Sequence, residues 1–201
     1  AWTTTPWTLP SNVALCVNAD EDYVKVKAAD GYTYYMAEAL LDTVLGKLKT
    51  EDAPAYEVLE RFKGKALEYK EYEPLYEAAA KIAEKQKKKA FYVLCDEYVT
   101  LTDGTGVVHQ APAFGEDDAR VGRKYDMPFV QLVDAKGNMS EDAPFAGTFV
   151  KKADPLILDD LKSRGLLYDA PKFEHSYPHC WRCDTPLIYY ARESWFIKMT
   201  E

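Results

Sequence analysis

The sequence predicts an α+β fold in which a mainly antiparallel β-barrel carries peripheral helices. Short runs with strand composition, many of them rich in Val and Tyr, outnumber the segments with helical periodicity. Turn residues such as Asp30-Gly31 and Gly137-Asn138 separate these runs. Because strands and helices do not alternate one for one, βαβ units with a parallel sheet are not expected.

The individual elements can be placed along the chain. The runs predicted to form strands are VALCVN, YVKVKA, YTYYMA, YEVLERF, FYVLCDEYV, GVVHQAPA and FVQLVD. Helical patterns cover residues 37–49, 73–89, 115–126 and 154–165. The last helix has a start signal, Asp154 as N-cap before Pro155, and a stop signal at Gly165.

The composition of the chain changes near residue 170. From there the sequence is rich in aromatic residues, contains cysteines and has an irregular pattern. We therefore predict a main domain over residues 1–170 and an exit segment over residues 171–201. The first residue already lies in a strand-like segment, and the final residues ESWFIKMTE contain no stop signal. We interpret the chain as part of a longer protein.

The composition limits the function classes. The chain has 201 residues, 47% of them hydrophobic, which is enough for one sizeable core. No apolar run approaches a membrane span and no export signal is present, so we expect a cytoplasmic protein. The net charge of −8 argues against an unaided grip on nucleic acid, because such surfaces are usually basic. The basic run from Lys85 to Lys89 ends a helical pattern, where cations complement the helix dipole.

The cysteines are too few and too unevenly placed for a disulfide scaffold. Cys16 and Cys95 lie in apolar runs and are predicted to be small buried hydrophobes. Cys180 and Cys183 form a CxxC motif, which is half of a tetrahedral zinc site. The chain contains no second CxxC, although His175 and His179 are near. We therefore expect a structural zinc only if further ligands come from outside this chain.

The opening stretch AWTTTPWTLPSN places clustered threonines beside two tryptophans. Thr suits β-strands, so an edge strand that runs into a turn is one interpretation. A second stretch, TDGTGVVHQAPAFGEDDARVG, contains a glycine-bracketed turn, His109 in an apolar setting and a helix start with Glu116, Asp117 and Asp118. Taken alone, the carboxylates can be helix caps and His109 a hydrogen-bonded core residue.

Taken together, WTTTPWTLPSN and DGTGVVHQAPAFGEDD closely resemble the inserted editing domain (connective peptide 1, CP1) of isoleucyl-tRNA synthetase. The exit sequence HSYPHCWRCDTPLIYYARESWFI resembles the place where that insertion returns to the catalytic core. Valyl and leucyl editing domains share the GTG element. They usually carry Arg where this chain has Thr5 and an acidic residue where it has Trp7. The resemblance therefore favours the isoleucine type.

The resemblance implies a hydrolase that removes valine from mischarged tRNA(Ile), with valyl-adenylate as a further candidate substrate. Asp118 would pair with the substrate ammonium, and Asp117 is the alternative that the family spacing disfavours. His109 would line the side-chain pocket and reject isoleucine, with general base as the less favoured role. No cofactor is implied for this reaction. The partners would be the charged 3′ end of tRNA(Ile) and the rest of the synthetase, with no membrane.

The remaining site residues follow from the same resemblance. Thr4, Thr5 and Thr8 would bond the terminal adenosine, the ester and the attacking water. Asn12 would support their turn. The apolar walls would be Trp7 and, from the exit segment, Tyr177. Two rival functions stay open at this stage: a module that binds aminoacyl-tRNA ends without hydrolysis, and a zinc-stabilised connector.

Overall fold

The computed structural model describes residues 1–172, 178–195, 197 and 199. Six β-strands and four α-helices are defined within these residues. The strands are β1 (Ala14–Val17), β2 (Asp22–Ala28), β3 (Thr33–Ala37), β4 (Tyr56–Lys63), β5 (Tyr92–Cys95) and β6 (Val108–Gln110). The helices are α1 (Leu41–Leu45), α2 (Glu77–Lys85), α3 (Glu116–Lys124) and α4 (Val150–Ser163). None of the helices among these residues has the length and apolar character that crossing a bilayer requires.

The strands form two three-stranded sheets with the orders β5-β1-β6 and β3-β2-β4. The second sheet is antiparallel throughout. In the first sheet β1 pairs antiparallel with β6 but parallel with β5. The α+β class with mainly antiparallel pairing is thus confirmed, and β1 with β5 is the one parallel pair among the strands of the described residues. Within the described residues the two sheets are separate ladders, so closure into a barrel stays a prediction.

Alternation of side chains puts the first sheet between two hydrophobic cores. Cys16 and Leu94 belong to one core, together with Ile157 of α4, and all three are fully buried. The neighbouring residues Val17 and Cys95 belong to the other core, which includes the second sheet. Successive residues of a strand face opposite sides, so this one sheet serves both cores. The prediction that Cys16 and Cys95 are buried hydrophobes is confirmed.

Two of the predicted elements differ from the structure. FVQLVD forms no strand, and its backbone contributes only an isolated bridge between Val133 and Met139. Helix α4 begins at Val150 instead of after Asp154, with Pro155 inside the helix. The Asp154 carboxylate does not cap α4, because it accepts a hydrogen bond from the Trp7 N–H at 2.9 Å. The contact with Trp7, which is distant in sequence, therefore takes the place of the helix cap that the sequence predicted for Asp154.

The predicted stop of α4 at Gly165 is confirmed. Gly165 follows the helix with φ +69°. Its N–H donates to the Lys162 carbonyl, and the Leu166 N–H donates to Leu161. This is the pattern of a glycine-terminated helix.

The glycine-bracketed turn before β6 connects the two sheets. The Gly106 carbonyl accepts a hydrogen bond from the Tyr23 hydroxyl of β2 at 2.6 Å. The Thr105 carbonyl accepts the N–H of Ala37 at the end of β3. Gly106 has φ +71°, and a Cβ added there would lie 2.5 Å from the Ala37 Cβ. Glycine is therefore required both for the backbone conformation and for the close approach.

We predict that Gly106→Ala destabilises the fold much more than Gly147→Ala. Both residues have positive φ, which costs an L-residue about 1–2 kcal/mol, but a Cβ at Gly147 would meet nothing within 4 Å. The clash at Gly106 should add about 1–3 kcal/mol. Urea unfolding of the two variants measures the difference, and equal losses would show that the close approach is unimportant.

Candidate functional site

Hydrogen bonds join Thr3, Thr5 and Thr8 into one local unit, the threonine unit. Residues Pro6–Ser11 form a 3₁₀ helix, so the edge-strand interpretation is wrong for this segment. The Thr8 hydroxyl donates to the Thr5 carbonyl at 2.9 Å and lies 3.2 Å from the Thr5 hydroxyl. Thr3, which sequence reasoning left out, accepts the Thr5 N–H at 3.0 Å. Thr4 is exposed to solvent.

His109 joins this unit from β6. Its Nε2 lies 3.1 Å from the Thr8 hydroxyl oxygen. Because Thr8 uses its single proton toward the Thr5 carbonyl, we infer that Nε2 carries the imidazole proton and Nδ1 is an acceptor. Burial lowers the pKa of His109 to about 4, so the ring is neutral at physiological pH.

Asp118 lies on the first turn of α3 but bonds to groups outside that helix. One carboxylate oxygen, Oδ2, accepts the Ala111 N–H at 3.2 Å. The other, Oδ1, accepts from Gln110 Nε2 at 3.1 Å and from the Tyr98 hydroxyl at 3.5 Å. A Cβ added at Gly115 would come within 3.1 Å of this carboxyl group, so glycine gives it room. Helix capping therefore does not account for Asp118.

The electrostatic setting of Asp118 differs from that of its neighbour Asp117. Burial raises the pKa of Asp118 to about 6, although three hydrogen bonds oppose the shift. The carboxyl group is thus mostly ionised at pH 7. Asp117 is exposed and pairs with Arg120 at 3.1 Å, as a solvated helix residue does. Of the two carboxylates, only Asp118 is held inside the fold.

Trp7 brings the two sequence motifs together. Its buried ring meets the Phe114 ring edge to face, with centroids 5.2 Å apart. Phe114 lies in the QAPAFGEDD segment that leads from β6 to α3. Asn12, at the other end of the threonine unit, donates to the Ala14 carbonyl and accepts from the Tyr72 hydroxyl at 2.6 Å. Both residues therefore fix the threonine unit against the rest of the fold.

Three buried polar atoms at this junction have no hydrogen-bond partner among the described residues: Trp7 Nε1, His109 Nδ1 and Gln110 Oε1. An unpaired buried polar group costs about 1–3 kcal/mol, so such atoms are uncommon in packed interiors. The two motifs supply all three of these unpaired buried side-chain atoms of the described residues.

The structure does not bring all predicted site residues into one contact network. His109 bonds to Thr8, whereas Asp118 bonds to Gln110, the next residue on β6. Adjacent strand residues face opposite sides, so the side chains of His109 and Gln110 lie on opposite faces of β6. Tyr177, like His175, lies outside the described residues. Gln110 and Tyr98 were missed, and a buried Gln within an apolar strand run was the available signal.

The predicted zinc ligands lie apart from this junction. Cys183 is exposed, and its Sγ lies 3.0 Å from the Thr185 hydroxyl. The Asp184 N–H donates to the Cys180 carbonyl, which closes a tight turn around the CxxC motif. The described residues contain no group of three or more His, Cys, Asp or Glu side chains arranged for a metal. Two thiols on one turn fit half of a tetrahedral site and no more.

Two cavities lie apart from the contacts between the two motifs. One, of about 560 Å³, lies against the exit segment and is lined by Phe129, Gln131 and Tyr190 among others. Another, of about 520 Å³, is lined by the buried Asp96, which Arg120 binds through its two terminal guanidinium nitrogens, Nη1 and Nη2. The acids and bases in this second cavity largely neutralise one another. Neither cavity includes Thr8, His109 or Asp118. The candidate site is therefore defined by the contacts between the two motifs.

Solved structures with this fold are synthetase editing domains. A crystal structure described as GlLeuRS-CP1 superposes with a TM-score of 0.63 and 16% identity, covering 85% of this chain and 83% of its own. The cytosolic leucyl-tRNA synthetase editing domain of P. falciparum matches with a TM-score of 0.57 and 14% identity, covering 82% and 75%. These likenesses define the class: the chain has the fold of a CP1 editing domain.

Curated proteins similar in sequence are isoleucine–tRNA ligases. The chain is 53% identical, over all of its 201 residues, to an isoleucine–tRNA ligase from Clostridium acetobutylicum, of which it spans 18%. It is 47% identical to that of Thermus thermophilus, with 99% of this chain and 18% of the relative covered. No protein-family model matches the chain. The chain is therefore similar over its whole length to isoleucine–tRNA ligases, and it spans about 18% of the length of these relatives.

The low pKa of His109 predicts a pH-dependent stability. An unfolded His with a pKa of 6.5 binds protons that the folded His109, with a pKa of about 4, does not. Stability is therefore complete above about pH 6.5 and is lost as the pH falls toward 4, by about 2 kcal/mol at pH 5. His109→Gln should flatten this loss in urea unfolding at pH 7.5 and pH 5.

Asp118→Asn is the matched control, and its expected effect on the pH dependence of stability is opposite to that of His109→Gln. The raised pKa of the wild-type Asp118 means that the folded state binds more protons than the unfolded state. Asp118 therefore adds stability as the pH falls through about 6. The Asp118→Asn substitution should therefore make the loss of unfolding free energy toward low pH steeper. An unchanged slope in His109→Gln would contradict the buried, neutral imidazole.

Proposed function

We propose that this segment is the editing hydrolase of an isoleucyl-tRNA synthetase and removes valine from mischarged tRNA(Ile). The observation that supports this most is the junction of the two motifs through Trp7–Phe114 and Thr8–His109. The similarity to isoleucine–tRNA ligases supports tRNA(Ile) as the carrier of the misplaced valine. Valyl-adenylate is a second candidate substrate of the same site.

The chemical problem requires a second site. Valine and isoleucine differ by one methylene, which a hydrophobic pocket discriminates by only about 1–3 kcal/mol, a magnitude known from this class of enzyme. A site that admits valine and excludes isoleucine by size removes the errors that the first selection leaves. Such a site has to hold an ammonium, limit the side chain and direct water at an ester.

Asp118 is suited to hold the ammonium. Its carboxylate is ionised above about pH 6, and a carboxylate next to an ammonium is favoured further by their mutual attraction. Its two oxygens are oriented by Ala111 and Gln110, so its position is set before substrate binds. Preorganised charge of this kind avoids reorganisation during the reaction.

The threonine unit is suited to hold the ester and the water. In this proposal the Thr5 and Thr8 hydroxyls, kept in place by their mutual bonds, contact the ester and the attacking water. The exposed Thr4 contacts the terminal adenosine. Hydrolysis then relies on holding water and ester together, and on hydrogen bonds to the developing oxyanion.

A covalent cysteine intermediate is disfavoured. Burial raises the pKa of the Cys16 thiol to about 12 and that of Cys95 to about 11. Since the thiolate is the nucleophile, both groups are inert at physiological pH. The low pKa of His109 makes it a weak base, which favours its role as a pocket wall, together with Trp7 and Tyr177.

The proposed partners are the 3′ end of tRNA(Ile) and the remainder of the synthetase. A net charge of −8 gives this segment little attraction for phosphates, so the remainder would supply most of the tRNA grip. A cytoplasmic site of action follows from this role. Cys180 and Cys183 would hold a structural zinc together with ligands from outside this chain, and the editing chemistry would not use it.

Two alternatives are distinguished by substrate. A valyl-type editing domain would hydrolyse threonine esters, and a leucyl-type domain would have its own mischarged substrates. Thr5 and Trp7 stand where those branches usually carry Arg and an acid. A module that only binds charged tRNA ends would release no amino acid from any of these substrates.

Asp118→Ala should abolish release of valine from valyl-tRNA(Ile) by the full-length synthetase, because the ammonium loses its anchor. We expect a loss of at least about 100-fold, the effect of removing one charged hydrogen bond of about 3 kcal/mol. Asp117→Ala is the matched control and should stay near wild type. Deacylation by the Asp118 variant at the wild-type rate would contradict the assignment.

His109→Ala should relax the size limit. With the imidazole gone the side-chain pocket is larger, so isoleucyl-tRNA(Ile) becomes a substrate while valyl-tRNA(Ile) is still hydrolysed. The ratio of the two deacylation rates measures the effect. A ratio that stays at the wild-type value would mean that His109 does not set the limit.

A further inference from the structure

Asp118 is held by a small polar network made of Gln110, which lies within the second motif, and Tyr98, which lies outside both motifs. Gln110, at the end of β6, is completely buried. Its Nε2 has two protons, and the structure directs them to Asp118 Oδ1, at 3.1 Å, and to the Tyr98 hydroxyl oxygen. Because the Tyr98 oxygen accepts from Gln110, its own proton is available to Asp118 Oδ1, at 3.5 Å.

We propose that Gln110 and Tyr98 are positioning residues for Asp118, which hold one carboxylate oxygen while the Ala111 N–H holds the other. Neither residue touches the substrate in this arrangement. The inference rests on the proposed function, because it gives the network a purpose only if Asp118 binds the substrate ammonium. The amide orientation follows from the carboxylate, since a reversed Gln110 would point its oxygen at Asp118.

The network acts on the charge as well as on the position of Asp118. Two neutral donors on Oδ1 stabilise the ionised carboxylate, whereas burial and the nearby charge of Asp117 disfavour it. The other ionisable groups around it are the Tyr98 hydroxyl, whose pKa is strongly raised, and the Cys16 thiol on β1, which stays protonated. Arg120 on α3 is occupied by Asp96 and Asp117. Gln110 and Tyr98 are therefore the side chains that offset the burial of Asp118.

The test is the pH profile of valyl-tRNA(Ile) deacylation by the full-length synthetase, measured as kcat/KM between pH 5 and 8. Wild type should lose activity below about pH 6, where Asp118 takes up a proton. Tyr98→Phe removes only a hydroxyl, and Gln110→Met keeps a similar volume without donors. Each should move the acid limb upward by about one pH unit, so that activity at pH 5.5 falls about tenfold while most activity returns at pH 8.

Tyr125→Phe is the matched control. Its hydroxyl donates to Glu68 at 2.7 Å, away from Asp118, so the same chemical change should leave the acid limb in place. A purely structural role for Gln110 or Tyr98 would lower activity at every pH without moving the limb, and this result would overturn the proposal.

The two hypotheses fail in different ways. If Asp118→Ala is inactive but Tyr98→Phe and Gln110→Met keep the wild-type limb, the positioning role is wrong and the editing function stands. If wild type releases no valine, the editing function is wrong. A ¹³C NMR titration of the Asp118 carboxyl in this chain then decides whether Gln110 and Tyr98 stabilise the ionised carboxylate. A higher titration midpoint in both variants supports the network, and an unchanged midpoint overturns it.

Discussion

The pairing of β6 with β1 is the constraint on which the site depends. β6 is only three residues long, and its register places His109 opposite Leu15 and Gln110 opposite Ala14. A slip of one residue would exchange the faces of the strand. His109 would then leave the threonine unit, and Gln110 would leave Asp118. The register is fixed from both ends, by the glycine turn that precedes β6 and by the Ala111 N–H bond to Asp118 that follows it.

The two cores explain why this short strand keeps its place. The first sheet lies between them and contributes buried side chains to both, so it cannot shift without disturbing either one. Helix α3 is held to the same sheet by the ion pair between Arg120 and Asp96, whose side chain is only 4% exposed. The anchoring of α3 in turn sets the position of Asp118. The fold thus surrounds a three-residue strand with elements that are individually anchored.

Burial has opposite consequences for the two titratable residues of the site. It lowers the pKa of His109, which stays neutral, and raises that of Asp118, which stays ionisable near neutral pH. An uncharged imidazole is compatible with an apolar side-chain pocket. An ionised carboxylate is what an ammonium requires. In the proposed function, the neutral His109 lines the side-chain pocket and the ionised Asp118 pairs with the ammonium. Of the two residues, only Asp118 receives several hydrogen-bond donors.

The sequence by itself determined the fold class, the positions of most elements and the resemblance to isoleucyl-tRNA synthetase editing domains. Alternating Val and Tyr placed β2 and β3, and the stop at Gly165 is a local signal that acts through the backbone alone. The residues of the two motifs were also recognisable, because their order along the chain is distinctive. The tertiary structure decided what local patterns do not encode. It took Asp154 away from helix capping, paired β1 in parallel with β5, and joined Gln110 and Tyr98 to Asp118. Each of these depends on a partner distant in sequence, and only the folded chain brings such partners within hydrogen-bonding distance.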